Sequence, residues 1–217
     1  VAPGQRVLEL GCGHGDLLAA LHPSKGVGVD FSPEMIQRAR MKHSDITFVE
    51  ADCHQLQMIE GPFDAIVLSD LVDDLWDVQE VFAQLSGLCH ERTRILINSY
   101  SRVWELPLFL AGKLGLAKRK MPQNWLTIDD VSDLLHLSEF EVVRSWHEIL
   151  WPLPFPFITR LCNRFLARLW PFKLLTMANF ILARPKPGRL PAAPLVSVIV
   201  AARNEAGNIA EIFRRTP

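Results

Sequence analysis

Short apolar runs alternate along the first part of the chain with segments whose apolar residues recur every three or four positions. The runs have strand length, and several are rich in valine and isoleucine. The five predicted strands cover residues 7–10, 26–30, 46–51, 63–68 and 94–99. Behind the fourth strand, Val78, Val81, Phe82, Leu85 and Leu88 have helical spacing. Strands that alternate with helices predict an α/β fold, with a doubly wound Rossmann-like sheet and helices on both faces.

This alternation stops after the fifth strand. Residues 101–126 mix aromatic and basic side chains without a clear rhythm, and they suit either a lid packed on the core or a cover for an apolar, anionic substrate. A helix at 127–137 begins with Thr127 and Asp130, which have the spacing of a capping box. Two further apolar runs, at 140–150 and 174–183, predict two more strands.

Between those two strands, three prolines open residues 151–172, and a helix is predicted at 158–170. Its apolar stripe consists of Ile158, Leu161, Phe165 and Leu169. Its basic positions, four residues apart, are Arg160, Arg164 and Arg168. A basic amphipathic helix is typical of a peripheral membrane element, and it also occurs as a helix packed on its domain with a solvated basic edge. The sequence leaves both hypotheses open.

Composition narrows the classes of protein to which the chain can belong. It has 217 residues, 49% of them hydrophobic, which is enough for one ample domain with additional chain. Lys and Arg number 23 against 24 Asp and Glu, so a nucleic-acid partner is not expected. The four cysteines form no C-x-x-C pair, the N-terminus is not signal-like, and no apolar run reaches the roughly 20 residues of a membrane span. These features predict a cytoplasmic protein with reduced thiols.

Residues 7–15, VLELGCGHG, carry the main chemical signal. After the acid Glu9, glycines occupy alternate positions: Gly11, Gly13 and Gly15. A glycine turn before a helix brings N–H groups and a positive dipole end close to a ligand. A dinucleotide fingerprint needs glycine at position 16, where Asp16 would instead repel a pyrophosphate. The pattern therefore suits a ligand with a carboxylate for the N–H groups and an ammonium for the acid.

With this loop the sequence resembles the class I S-adenosylmethionine-dependent methyltransferases, whose first motif is acid-x-G-x-G-x-G. The resemblance covers residues 1–184 and implies S-adenosyl-L-methionine as the cofactor. It also implies a mixed sheet of about seven strands. In that sheet the strands predicted at 140–150 and 174–183 pair antiparallel at the edge.

Acids at the ends of the second and third strands fit the resemblance. Asp30 has the position of the family's ribose-binding acid; its alternative role is a helix cap, but Ser32 and Pro33 already supply one. Asp52 has the position of the adenine-contacting acid, with a loop Asx turn as its alternative. The residues predicted to bind the cofactor are Glu9, Gly11, Cys12, Gly13, Gly15, Asp30, Phe31, Asp52, Cys53 (through its backbone N–H) and Ser69.

An acidic run follows the fourth strand. It comprises Asp73, Asp74, Asp77 and Glu80. Clustered carboxylates suit a hard cation, but acids also suit the solvated first turn of a helix. The apolar residues at helical spacing behind the run favour the helix turn, so no metal site is predicted.

The resemblance implies in-line attack by a substrate nucleophile on the sulfonium methyl group. The protein then mainly aligns the reactants and excludes water, and it needs a general base only where the nucleophile carries a proton. The candidate catalytic bases are His14, Asp70 and His147. His14 is the best placed along the sequence, although a solvent-facing side chain is an equal alternative. The predicted function is methyl transfer to an acceptor that the sequence does not identify, with a lipid-linked or saccharide molecule as the working hypothesis.

The C-terminal part predicts a second domain. Residues 185–194 form a proline-rich linker. Residues 195–217 contain a new apolar strand followed by R-N-E and G-N-I, and they resemble the start of a family 2 glycosyltransferase domain without its metal-binding acid pair. Because the chain starts at Val1 and stops mid-pattern at Pro217, we expect a piece of a methyltransferase–glycosyltransferase fusion. The alternative function is a non-catalytic cofactor-binding or scaffolding domain for that glycosyltransferase.

Overall fold

The computed structural model describes residues 1–113, 115, 124–150 and 156–188. Within these residues the chain forms a seven-stranded sheet. Its strands are β1 (Arg6–Leu10), β2 (Lys25–Asp30), β3 (Thr47–Glu50), β4 (Phe63–Ser69), β5 (Cys89–Tyr100), β6 (Phe140–Glu148) and β7 (Ala178–Pro185). The helices in the same residues are α1 (Asp16–Ala20), α2 (Pro33–Lys42), α3 (Val78–Leu85), α4 (Glu105–Lys113), α5 (Ile128–Leu137) and α6 (Pro156–Arg164).

The strands lie in the order β3-β2-β1-β4-β5-β7-β6. Each neighbouring pair from β3 to β5 is parallel, and β7 is antiparallel to both β5 and β6. The predicted doubly wound mixed sheet is therefore confirmed. The chain moves outward from β1 to β3 and then returns to β4 on the other side of β1. Such a reversal of direction opens a crevice at the carboxyl ends of the strands.

Alternate residues of the central strands pack on opposite faces of the sheet, as expected for a period of two. Val7 of β1 belongs to the apolar cluster that contains residues of α1 and α2. Its neighbour Leu8 belongs to the larger cluster that contains residues of α3 and α5. Ala65 and Ile66 of β4 divide in the same way. Two helical layers thus bury both faces of the sheet.

Two helix starts predicted from the sequence are confirmed. At α2, the Ser32 hydroxyl accepts from the Met35 backbone N–H at 3.4 Å, and Pro33 is the first helical residue. At α5, Thr127 and Asp130 form the reciprocal capping box. Both signals are local in the sequence, which explains why they could be predicted.

Three predicted boundaries are wrong by more than two residues. The fifth strand starts at Cys89 and not at residue 94. The last strand starts at Ala178 and not at residue 174, because Phe172–Leu175 forms a 3-10 turn that leaves Leu174 and Leu175 exposed. The basic helix ends at Arg164 and not at residue 170, and a 3-10 turn follows at Leu166–Arg168. Residues 151–155 and the side chains of Ile158 and Arg168 lie outside what the structure describes.

The chain divides into a unit at Val1–Lys186 and a unit at Pro187–Pro217. The predicted glycosyltransferase-like piece, 195–217, lies outside the described residues, as does most of the predicted linker. Both assignments stay predictions. In the part of the chain that the structure describes, no helix combines the length and hydropathy that crossing a bilayer requires.

Candidate functional site

The glycine loop connects β1 to α1 through a tight turn. Gly11, Gly13 and Gly15 have φ angles of +69°, +51° and +74°, in the left-handed region that favours glycine. A Cβ at Gly13 would meet no atom within 4 Å, so the turn has an open side at this residue. The helix that follows has only 5 residues, and its dipole is correspondingly small.

Three amides of this loop bind acceptors within the protein. The N–H groups of Cys12 and Gly15 donate to Val29 O at 3.0 Å and to Cys12 O at 2.8 Å. The N–H group of Gly13 donates to Asp30 Oδ2 at 2.8 Å. The expectation that the loop amides receive a ligand carboxylate is therefore not supported at these three positions.

Asp30, at the end of β2, links the glycine loop to the start of α2. Its Oδ2 accepts from Gly13, and its Oδ1 accepts from the Ser32 backbone N–H at 2.9 Å. The inference that Asp30 has no structural role, because Ser32 already caps the helix, is thus wrong: the carboxylate accepts hydrogen bonds from two backbone N–H groups. Each carboxylate oxygen has a further lone pair, so the ribose role stays a prediction. The adjacent Phe31 ring is 74% exposed.

Glu9 is the penultimate residue of β1 and is only 3% exposed. Burial raises the pKa of Glu9 from its ordinary value of 4.5 to about 7. The charges of Asp16 and Asp30 add to this rise, and the backbone amide of Leu18 opposes it. Within the described residues, Glu9 Oε2 is buried without a hydrogen-bond partner. A buried carboxylate oxygen in this state is a site where a cation would be stabilised.

Asp52 forms the Asx turn that was its alternative interpretation, and it also holds a histidine that the sequence reasoning missed. Its Oδ1 accepts from the His54 backbone N–H at 2.9 Å. The His54 ring receives the Asp77 backbone N–H on Nε2 at 3.4 Å, so the proton of the neutral ring lies on Nδ1. Nδ1 donates to Asp52 Oδ1 at 2.7 Å. The two bonds from His54, first that of the backbone amide, lower the pKa of Asp52.

His54 is buried beneath an aromatic ring. Only 6% of its surface is exposed, and the ring of Trp76 stacks on it with centroids 4.3 Å apart. Gln84 of α3 donates to the His54 carbonyl at 2.7 Å. The Asp52 side chain itself is 51% exposed. A fixed histidine therefore orients a carboxylate that faces solvent. The only sequence signal was the D-x-H spacing at the end of β3.

Two buried thiols lie among these acids. Burial raises the pKa of both Cys12 and Cys53 to about 12, so both stay protonated at neutral pH. The charge of Asp30 contributes to both shifts, that of Glu9 acts on Cys12, and that of Asp52 acts on Cys53. Hydrogen bonds also join these strand ends: Asp30 accepts from the Gly13 N–H on Oδ2, and its carbonyl accepts from the Ala51 N–H at 3.1 Å.

The end of β4 meets the same loop. A Cβ at Gly11 would lie 2.9 Å from Leu71 Cδ1, so the chain after β4 packs against the glycine turn. Ser69 is half-buried, and Asp70 adopts a φ of +51°, an uncommon value for a residue other than glycine. Asn98 of β5 donates its Nδ2 to Asp70 Oδ1 at 2.7 Å.

His147 is not brought together with the other two candidate bases. His14 is exposed on the glycine loop. His147 lies on β6, where its Nδ1 is 3.0 Å from Asn179 Oδ1. Since β6 is four strand positions from β1, His147 is roughly 19 Å away at the usual strand spacing. Asp70 is the candidate at the end of a central strand.

Two other acidic residues have environments that differ from the predicted ones. Asp73 is not a solvated helix residue: it is 1% exposed, and its Oδ2 accepts from the Tyr100 backbone N–H at 2.9 Å. Asp16 binds Lys42 Nζ at 2.9 Å and His43 Nε2 at 2.8 Å, and these partners lower its pKa. Because its charge is compensated, the case against a dinucleotide rests on the glycine spacing rather than on repulsion by Asp16.

Comparison with known proteins matches residues 7–91 to the family model described as Methyltransferase domain. The uncharacterized methyltransferase sll0829 of Synechocystis sp. is 29% identical over 151 residues, which are 69% of this chain and 62% of that protein. A trans-aconitate 2-methyltransferase of Escherichia coli is 33% identical over 124 residues, 55% of this chain and 40% of that protein. The matches thus span less than two thirds of these relatives' lengths.

A solved structure shares the fold. The crystal structure of an S-adenosylmethionine-dependent methyltransferase from Mesorhizobium loti superimposes with a TM-score of 0.64. The superposition covers 84% of this chain and 92% of that one, at 20% sequence identity.

Proposed function

We propose that this chain transfers the methyl group of S-adenosylmethionine to an acceptor, because residues 7–91 match the family model described as Methyltransferase domain and the fold is that of an S-adenosylmethionine-dependent methyltransferase of known structure. The observation that supports the proposal is that three neighbouring parallel strands each carry a carboxylate at or just beyond their carboxyl ends: Glu9 on β1, Asp30 on β2 and Asp52 after β3. Their negative charge suits a ligand that carries an ammonium and a sulfonium.

Two features of the structure fit this cofactor. The partnerless Oε2 of Glu9 would be compensated by a cation, and the open side of Gly13 leaves room beside the turn. When bound, S-adenosylmethionine supplies an electrophilic methyl group on a sulfonium sulfur. The chain's own residues would bind and orient: Glu9 for the ammonium, Asp30 for the ribose hydroxyls, and Asp52 with the Cys53 N–H for the adenine.

The test is calorimetric binding of S-adenosylhomocysteine, the demethylated product. We expect Asp52→Ala to weaken binding about 20-fold, because a hydrogen bond to a charged group is lost. The matched control is Asp45→Ala, an exposed aspartate before the opposite end of β3, which should leave the dissociation constant unchanged. An unmodified protein that ignores millimolar product would overturn the proposal.

We expect His54 to act as a positioning residue for Asp52. His54→Ala removes the Nδ1 donor, so the carboxylate loses its fixed orientation, and product affinity should fall about fivefold. In His54→Asn the side-chain amide can replace the Nδ1 donor and should restore most of the affinity. If the asparagine variant binds as poorly as the alanine variant while both unfold at the same temperature, the orienting role is wrong.

For the acceptor, we propose a lipid-linked or saccharide molecule. Support comes from the apolar and basic chain segments beside the carboxyl edge of the sheet and from the resemblance of residues 195–217 to a glycosyltransferase, which we propose is fused to this domain. Methyl-labelled S-adenosylmethionine incubated with a cell extract should label the organic-phase lipid or the polysaccharide fraction. Label confined to the protein or nucleic-acid fraction would contradict this acceptor class.

A second proposed function is non-catalytic: a cofactor-binding or scaffolding domain for the fused glycosyltransferase. The position of His147 on β6, four strand positions from β1, favours it, because that candidate base lies far from the glycine turn. This function predicts product binding without label transfer to any fraction.

A further inference from the structure

Two chain segments leave the sheet at its carboxyl edge and meet outside it. The first follows β5 and comprises the 3-10 turn Arg102–Trp104 and α4. The second connects β6 to β7 and includes α6 and the 3-10 turns after it. They are joined where Trp104 Nε1 donates to the Leu175 carbonyl at 2.9 Å. We call the outer face of these two segments the insert surface.

Large apolar side chains are exposed along the insert surface. Six of them have exposed fractions between 54% and 76%. These six are Leu106, Phe109, Leu161, Phe165, Trp170 and Leu174. Single exposed apolar residues are common on proteins, but several of them on two segments that are joined to each other indicate an interaction site.

The charged residues of the second segment are all basic. From Ile149 to Asn204 the sequence contains no aspartate or glutamate. Among the described side chains of this segment, the exposed cations are Arg160, Arg164 and Lys173. The Arg164 guanidinium lies 6.0 Å from the centre of the Phe165 ring, and in the first segment Lys113 Nζ lies 4.6 Å from that of Phe109. Cations thus border the apolar side chains.

We propose that the insert surface binds the anionic face of a lipid bilayer. Apolar side chains would enter the boundary between headgroups and acyl chains, while the cations pair with anionic headgroups. The sheet edge that carries the site would then face the bilayer. The idea that this contact delivers a lipid-borne acceptor rests on the proposed methyl transfer. The membrane contact itself does not depend on that proposed function.

Charge argues against a second copy of this chain as the occupant of the surface. A symmetric dimer would set the same cations of each copy against one another. An anionic membrane complements the surface where a second copy does not.

The test is co-sedimentation with vesicles of phosphatidylglycerol and phosphatidylcholine. We expect the unmodified chain to bind. The variant Arg160→Gln/Arg164→Gln/Lys173→Gln should have a roughly 100-fold lower affinity for the vesicles, because each cation contributes about fivefold. The control Lys25→Gln/Arg38→Gln/Arg92→Gln removes three exposed cations elsewhere and should bind as before. Phe165→Ser/Leu174→Ser should bind at least tenfold more weakly, whereas Met41→Ser/Met58→Ser should not change.

S-adenosylhomocysteine affinity and thermal unfolding are measured on the same samples, so that loss of the fold or of the cofactor site is recognised separately. The proposal is overturned if the unmodified chain stays in the supernatant with anionic vesicles. It is also overturned if both triple variants lose binding equally, or if sedimentation equilibrium finds a dimer that the Phe165→Ser/Leu174→Ser variant dissociates.

Discussion

Replacing Gly15 by alanine is expected to lower the free energy of unfolding by about 3 kcal/mol, from about 1 kcal/mol of backbone strain and about 2 kcal/mol of overpacking. Gly15 has a φ of +74°, and its Cβ would lie 2.4 Å from Cζ of Phe48. The Phe48 ring is buried, and it also packs closely on Gly28, where a Cβ would lie 2.8 Å from Phe48 Cδ1, so little space is left into which the ring could move. In thermal unfolding we expect the midpoint to fall by roughly 10 °C.

The control for this experiment is Gly13→Ala. Gly13 also has a positive φ, of +51°, but its Cβ would meet no atom within 4 Å. The Gly13→Ala variant should therefore lower the free energy of unfolding only by the backbone strain, about 1 kcal/mol. Equal losses in the two variants would show that the contact with Phe48 does not determine the cost.

The second large effect is a loss of stability as the pH rises through the titration of Glu9. Its pKa is 4.5 in the unfolded chain and about 7 in the folded one. Between these pH values the folded state binds more protons than the unfolded state does. The contribution of Glu9 to the free energy of unfolding is therefore fully present below pH 4.5, decreases toward pH 7 and stays low above it. The expected loss is about 3 kcal/mol. Urea unfolding of the unmodified chain and of Glu9→Gln should give a difference curve with this shape.

The same carboxyl group links stability to cofactor binding. If Glu9 receives the ammonium of the cofactor, binding favours its charged form, and a proton is released near pH 6. Calorimetry of S-adenosylhomocysteine binding in two buffers with different ionisation enthalpies measures that proton. A flat difference curve for Glu9→Gln would refute the raised pKa, whereas binding without proton release would refute only the contact with the ammonium.

Much of the fold could be predicted because its signals are local. The period of apolar residues located all seven strands, and Ser32 and Thr127 marked two helix starts by side-chain bonds to residues three positions away. The prediction was wrong where an apolar run was ambiguous: Leu174 and Leu175 belong to an exposed turn. Periodicity alone does not distinguish a buried strand from apolar residues that face outward.

The sequence by itself determined the alternation of strands and helices, the left-handed glycine turn after β1, and the placing of acids at strand ends. These depend on backbone sterics and on residues a few positions apart. Only the tertiary structure decided that Asp30 holds Gly13, that His54 holds Asp52 beneath Trp76, and that His147 lies far from the turn. Such contacts depend on the order of strands in the sheet and on burial, which join residues distant in the chain and which no local pattern encodes.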